Sequence, residues 1–267
     1  MKIRTTEPPH DWDLLRNPPE FSLVLGGPLF QLFRRAHLTD DALMMVRQRI
    51  IVIALLLSGL EGKLWRGSTG VPFLFDAEVH VRFLVALPLL IAAELVVHRR
   101  MRPLLKQFLE RNMIPGNAMA RFEAAVASAF RLRNSVLAEV LLIAFVYGVG
   151  ILVVWRQYIA LDTATWYATP SATGSQFSLA GMWFAYVSVP IFQFLLLRWY
   201  FRLFIWARFL WQVSRIELSL VPTHPDCLGG LSFISGQVYA FSVLAVAHGA
   251  LLAGNLANRI FFMGATL

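Results

Sequence analysis

Apolar stretches recur along this chain, and the loops between them alternate between rich and poor in basic residues. Seven Lys and Arg precede Ile50, three lie from Lys63 to Arg82, eight from Arg99 to Arg133, one at Arg156 and four from Arg198 to Arg215. That is the positive-inside pattern of a polytopic α-helical membrane protein of fixed orientation. It predicts an all-α fold of about five transmembrane helices with amphipathic interfacial helices, and a multi-pass location in a bacterial inner membrane with the N-terminus cytoplasmic. Hydrophobic residues make up 57% of the 267 and charged residues only 15%, against about a quarter charged in soluble domains.

The net charge of +8 belongs to residues beside apolar spans, so anionic lipid headgroups are the expected partner and nucleic acid is not. Cys227 is the single cysteine, which rules out an internal disulfide and a cysteine-based zinc site within one chain. Residues 1–21 carry Pro8, Pro9, Pro18 and Pro19 without an apolar core, so no cleavable signal peptide is expected there.

An N-terminal juxtamembrane segment, 1–38, precedes a transmembrane domain, 39–267. Gly26-Gly27-Pro28 breaks the chain before a short amphipathic helix ending in Arg34 and Arg35. Thr39, Asp40 and Asp41 suit a helix N-terminus. The first span, 44–60, has an apolar run of only eleven residues from Ile50. At ~1.5 Å each these reach about half of a ~30 Å core, so the span draws in Met44 to Arg49 with its arginines snorkelling.

The other spans are read at 81–98, 135–155, 179–197 and 231–257. Pro88 is expected to kink the second, a helix from Ala118 to run through Arg133 into the third, and the fourth helix to persist to about Val213. Pro103 to Met113 suits an interfacial helix, and the Thr- and Ser-rich loop 156–176, with Trp166 and Tyr167, reads as the outer face.

Ionisable groups inside spans cost ~2.5–3.5 kcal/mol each on insertion scales and need a reason. Glu94 and Glu139 fall at similar depth near the inner ends of their spans, and His98 shares a helix face with Glu94. Such a grouping can hold a metal ion, relay protons or pair with an arginine such as Arg133. Its plain structural reading is carboxyls protonated or bonded to an arginine or hydroxyl.

The string Thr223-His224-Pro225-Asp226-Cys227-Leu228-Gly229-Gly230 is the most distinctive in the chain. Its prolines stiffen it and Asp226 can cap the following helix, while His224 and Asp226 are also candidate partners for the inner-leaflet carboxylates. Arg198, Arg202, Arg208 and Arg215, interleaved with aromatics, read as an interfacial basic belt. Ala245, Gly249 and Ala253 form a ridge for helix packing, with His248 beside it as an interhelical hydrogen bond.

No Gly-x-x-x-x-Gly-Lys, Gly-x-Ser-x-Gly, His-Glu-x-x-His or Thr-Val-Gly-Tyr-Gly string is present, so no catalytic residue, metal or cofactor can be named and a non-enzymatic role is favoured. Permeation or transport of an ion, proton or small solute, in a homo-oligomer or membrane complex, ranks first because paired intramembrane carboxylates cost more than a scaffold requires. A non-catalytic scaffold or sensor subunit is the alternative, and a metal-assisted membrane enzyme the third.

Three strings, Phe21-Ser22-Leu23-Val24-Leu25-Gly26-Gly27-Pro28-Leu29, Leu38-Thr39-Asp40-Asp41-Ala42 and His224-Pro225-Asp226 through Gly229-Gly230-Leu231, together resemble a family of uncharacterised bacterial integral membrane proteins. Members of that family are expected to have a longer first span and to continue through a further span to a cytoplasmic tail, and this sequence departs from the pattern at both places. The resemblance implies no activity and no residue roles.

Overall fold

The computed structural model describes residues 20–35, 73–150, 166, 168–169 and 176–263. The expected first span at 44–60, with its start at Thr39, lies outside these residues. Within them the chain is all-α and polytopic: the continuous helices Ala77–Glu110, Gly181–Ser214 and Ser232–Phe262 are each long and apolar enough to cross a membrane, and Gly116–Arg133 with Val136–Gly150 forms a fourth, bent candidate. The first two have 34 residues each. At ~1.5 Å per residue they rise about 51 Å, well beyond a ~30 Å hydrocarbon core.

In chain order the α-helical segments are α1 Pro28–Arg35, α2 Ala77–His80, α3 Leu87–Met101, α4 Leu104–Glu110, α5 Met119–Arg133, α6 Val136–Phe145, α7 Leu179–Trp183, α8 Val189–Ser214, α9 Ser232–Val238 and α10 Ser242–Met263. Three stretches have π-helical hydrogen bonding: Val81–Ala86, Val146–Gly150 and Phe184–Ser188. Among the described residues the one strand pair is a two-residue antiparallel ladder in the loop read as outer, with Ala168 opposite Phe177 and Thr169 opposite Gln176.

Pro88 does not simply kink its helix. The backbone N–H of Leu87 reaches back five residues to the Arg82 carbonyl, and before Pro190 that of Val189 does the same to Phe184. A proline has no N–H and its ring collides with the carbonyl four residues earlier. A wider π turn just before it meets both constraints while keeping the helix unbroken. Residues 118–135 differ from the expected continuous helix: α5 ends at Arg133 and α6 leaves it at 48°. Asn134 (φ −90°, ψ 3°) stops the α-helical pattern, its N–H bonded to Phe130 and that of Ser135 to Leu132.

The chain divides into two compact units. The first comprises Met1–Gln31, Val96–Ser135 and Phe201–Ala240, and its core is aromatic. Phe21, wholly buried, lies 4.8 Å from Phe209, 5.7 Å from Phe130 and 6.2 Å from Trp206, ring centre to ring centre. Phe108 packs on Phe122 at 5.5 Å and on Phe233 at 4.9 Å. Distances of this size suit tilted and edge-to-face rings, each pair adding ~0.5–1.5 kcal/mol beyond burial. Phe21 to Val24 are thus core residues, although nothing in their sequence separates them from the segment read as juxtamembrane.

The second unit comprises Leu32–Leu95, Val136–Tyr200 and Phe241–Leu267. Here α10 packs along α2 and the π stretch after it. Gly254 permits that approach: a Cβ there would stand 3.0 Å from the Val81 Cβ and 3.3 Å from the Ala77 carbonyl oxygen. At the same end Asp76 caps α2 by accepting from the Val79 N–H at 3.1 Å, and it also accepts from Trp166 Nε1 at 3.0 Å and Asn258 Nδ2 at 2.7 Å. Asn258 Oδ1 in turn accepts from the Ala77 N–H at 2.9 Å. Trp166 joins this knot with Phe73 and Phe184 at 5.1 and 5.2 Å.

Phe21→Ala is expected to destabilise the detergent-solubilised protein by about 3–5 kcal/mol, the range for emptying a buried phenylalanine site. Leu32→Ala, at a side chain 59% exposed, should change it by less than about 0.5 kcal/mol. Thermal unfolding of the two variants checks both.

A three-helix ion-paired triad and a self-capped loop

Glu139 is the one ionisable residue on α6. Most of that helix is exposed apolar surface, including Val136, Leu137, Val140, Leu141, Ile143 and Phe145, whereas Glu139 and, seven residues on, Val146 are buried. Seven residues are close to two helical turns, so both lie on one inward stripe. Glu94 is buried on α3. Between them stands Arg198 of α8, buried to 6% exposure. Its Nε donates to Glu139 Oε1 at 3.2 Å, and one of its terminal nitrogens lies 3.6 Å from Glu94 Oε1.

Three helices therefore each contribute one charged group to a single ion-paired cluster. The next residue, Trp199, ties α8 to α3 again, donating its Nε1–H to the Leu90 carbonyl at 3.0 Å. The carboxylates do come together, as the sequence predicts, but their arginine is Arg198 rather than Arg133. Arg133 donates to the Ser22 carbonyl at 2.7 Å and lies over the Phe130 ring.

The belt of four arginines divides accordingly. Arg198 and Arg202 are buried within the protein; Arg208 is half-buried and donates to Ser128 Oγ; Arg215 is exposed, its guanidinium 5.3 Å from the Trp211 ring centre. Helical spacing puts all four within one arc, yet it carries no information about which stretch of the arc a neighbouring helix covers.

His98 is buried with Nδ1 3.0 Å from Ser22 Oγ. That hydroxyl oxygen already accepts from the Val24 and Leu25 N–H groups at 3.2 and 3.0 Å. Its own proton is therefore directed at Nδ1, which makes His98 a neutral acceptor through that nitrogen. Among the described residues no group of three or more His, Cys, Asp and Glu has metal-binding proximity. His248, as expected, links two helices: its Nδ1 donates to the Leu244 carbonyl and its Nε2 accepts from the Tyr200 hydroxyl. The ridge beside it is exposed at Ala245, Gly249 and Ala253, and no atom stands within 4 Å of a Cβ built at Gly249. Within the chain α10 packs instead through Leu244, Ala247 and Gly254.

The His-Pro-Asp loop belongs to the first unit and is organised around one carboxylate. Asp226 Oδ1 accepts from the N–H groups of Leu228 and Gly230 at 2.9 and 3.0 Å, and Oδ2 from that of Ser232, at the head of α9, at 3.0 Å. His224 Nδ1 lies 2.8 Å from Oδ1. The three N–H groups converge only because Cys227, Gly229 and Gly230 have φ of +55°, +64° and +98°. At Gly230 a Cβ would also stand 2.7 Å from the Met113 methyl, while Arg111 donates to the Gly230 carbonyl at 2.7 Å and Ser219 N–H to that of Met113 at 2.9 Å. Converging backbone N–H groups form an anion site, and the chain's own carboxylate fills it.

Desolvation pushes the Asp226 carboxyl upwards, but the Leu228, Gly230 and Ser232 N–H groups and His224 outweigh it and hold the group well below the ordinary carboxylate range. Its folded value is depressed, so the stabilisation is fully present above the unfolded value of about 3.9 and is lost as the pH falls through the lowered one. Amide hydrogen exchange of Leu228, Gly230 and Ser232 should show slow exchange at neutral pH and loss of protection in strong acid. In Asp226→Asn, protection should be weakened at both.

For the triad, Arg198→Met leaves two buried carboxylates without their guanidinium and is expected to cost about 3–5 kcal/mol in thermal unfolding. Adding Glu94→Gln and Glu139→Gln to it should recover most of that loss, because the uncompensated charge goes with them.

No family model, curated protein or solved structure matches this chain, so the triad, the loop and the spans carry the functional argument.

Proposed function

We propose that the protein is a non-catalytic membrane subunit, a scaffold or sensor acting in an oligomer or complex, with its basic loops on the cytoplasmic side. The observation that carries this reading is the Glu94–Arg198–Glu139 triad. Transport ranked first from sequence only because two intramembrane carboxylates cost more than a scaffold needs. With Arg198 between them, that cost is offset inside the protein and no permeating ion is required to explain it.

Two further features agree. The most distinctive sequence string is accounted for as a self-capped turn, and the ridge of Ala245, Gly249 and Ala253 is open for a neighbouring helix. The orientation rests on charge: eleven Lys and Arg stand against five Asp and Glu among the described residues of the first unit, and five against four in the second.

Permeation keeps one supporting observation. Three span regions carry a π-helical stretch, a feature often found at functional positions in helices.

Purified protein reconstituted into vesicles separates the two. The scaffold reading expects proton and cation flux no greater than in empty vesicles for wild type, Glu94→Gln and Glu139→Gln, together with a stable assembly larger than one chain by mass measurement. Flux in the wild type that Glu94→Gln or Glu139→Gln abolishes would overturn it in favour of permeation, as would full function recovered from an isolated monomer.

A further inference from the structure

The basic excess of the first unit is not consumed by its own acids. Arg102 pairs with Glu20 and Lys106 with Glu110, while Asp226 is committed to its loop. Arg100, Arg121, Arg131 and Arg215 are exposed, and no ion pair engages them among the described residues. We propose that these four arginines form a recognition surface for the phosphates of anionic phospholipid headgroups in one leaflet.

Their placement favours lipid over other anions. Arg100 is one residue from the end of α3, and Arg131 lies five before Val136, where α6 begins with Val136 and Leu137 61% and 67% exposed. Basic side chains close in sequence to the start of an apolar helix are the pattern of the membrane–water boundary. Arg215 follows the last residue of α8 and lies over Trp211, itself 58% exposed. An indole and a cation at the end of an apolar helix are the pairing of the membrane–water boundary.

The helix α5 shows how the charge is presented. It buries Phe122, Ala125, Val126, Ala129 and Phe130 on one side, and exposes Arg121, Ala124, Ala127 and Arg131 on the other. Small alanines between the two arginines leave their stems room to lie along the helix while the heads remain free.

The test places the whole protein in nanodiscs of phosphatidylcholine, with or without roughly a third phosphatidylglycerol. The unfolding midpoint should rise in the anionic discs, the rise should shrink as salt screens it, and the combined variant Arg100→Gln, Arg121→Gln, Arg131→Gln, Arg215→Gln should lose it. A wild-type midpoint equal in both lipids, or a combined variant keeping the full rise, would overturn the assignment.

A second measurement needs only a single tryptophan change. The Trp211 emission, obtained as the difference between wild type and Trp211→Phe, should be quenched by brominated phosphatidylglycerol in preference to brominated phosphatidylcholine. The expected preference is about fivefold for each arginine engaged. Equal quenching by the two lipids would leave the surface to an acidic protein and refute the lipid assignment.

Discussion

A charge that leaves water must be neutralised where it stands, and Arg198 does this for Glu94 and Glu139 at once. The consequence is geometric as much as energetic. A guanidinium is a planar fork that bonds along fixed directions, so pairing with acids on α3 and α6 fixes how all three helices are rotated about their axes. On α6 this selects the face: Glu139 and Val146 turn inward and the apolar remainder is left to lipid. An all-apolar α6 has no comparable reason to choose one rotation, because lipid tails are as good a solvent for leucine as another helix is.

The two units consequently use different physics. In the second, hydrophobic burial gives little preference for helix over lipid, and polar contacts set the arrangement: the triad, the Asp76–Asn258–Trp166 knot, and Tyr200 with His248. Arg82 follows the same logic, pairing with Glu78 while its guanidinium lies 5.9 Å from the ring centres of both Phe184 and Phe192. The first unit has a core of the water-soluble type, with Phe21, Phe108, Phe122 and Phe209 wholly buried among other rings. There the removal of aromatic area from water is itself the driving force.

What was legible in the sequence follows the same division. Apolar length and basic flanks mark the spans without reference to any other part of the chain, and the described residues of the second through fifth regions are largely helical, though the third is bent at Asn134 and Ser135. Asp226 as a cap was also legible, because the N–H groups that donate to it lie within six residues. The identity of the arginine facing Glu94 and Glu139 was not. It depends on which of several arginines shares a buried depth with them, and helical spacing places Arg198 and Arg215 on one arc while one is buried and the other exposed. Phe21 and Ser22 were illegible for a related reason: a short apolar string before Gly26-Gly27 reads alike whether it lies on a membrane or fills a core.

The prolines show how a local cost becomes a shared architecture. Pro88 and Pro190 each sit two residues after a π stretch, Val81–Ala86 and Phe184–Ser188. In an apolar medium an unsatisfied carbonyl has no water to turn to, so the helix must absorb the missing N–H within its own backbone. Widening one turn achieves that, and it also rotates every residue beyond the turn relative to an ideal α-helix. Glu94 and Arg198 both lie beyond such a turn, six residues after Pro88 and eight after Pro190. Their meeting therefore depends on two widened turns as well as on spacing along ideal helices. A sequence argument that steps at 100° per residue through either proline accumulates the wrong rotation before it reaches the charge. Restoring an ideal turn at either place, without a compensating change at the other, would move one acid or the arginine off the common axis that now holds all three.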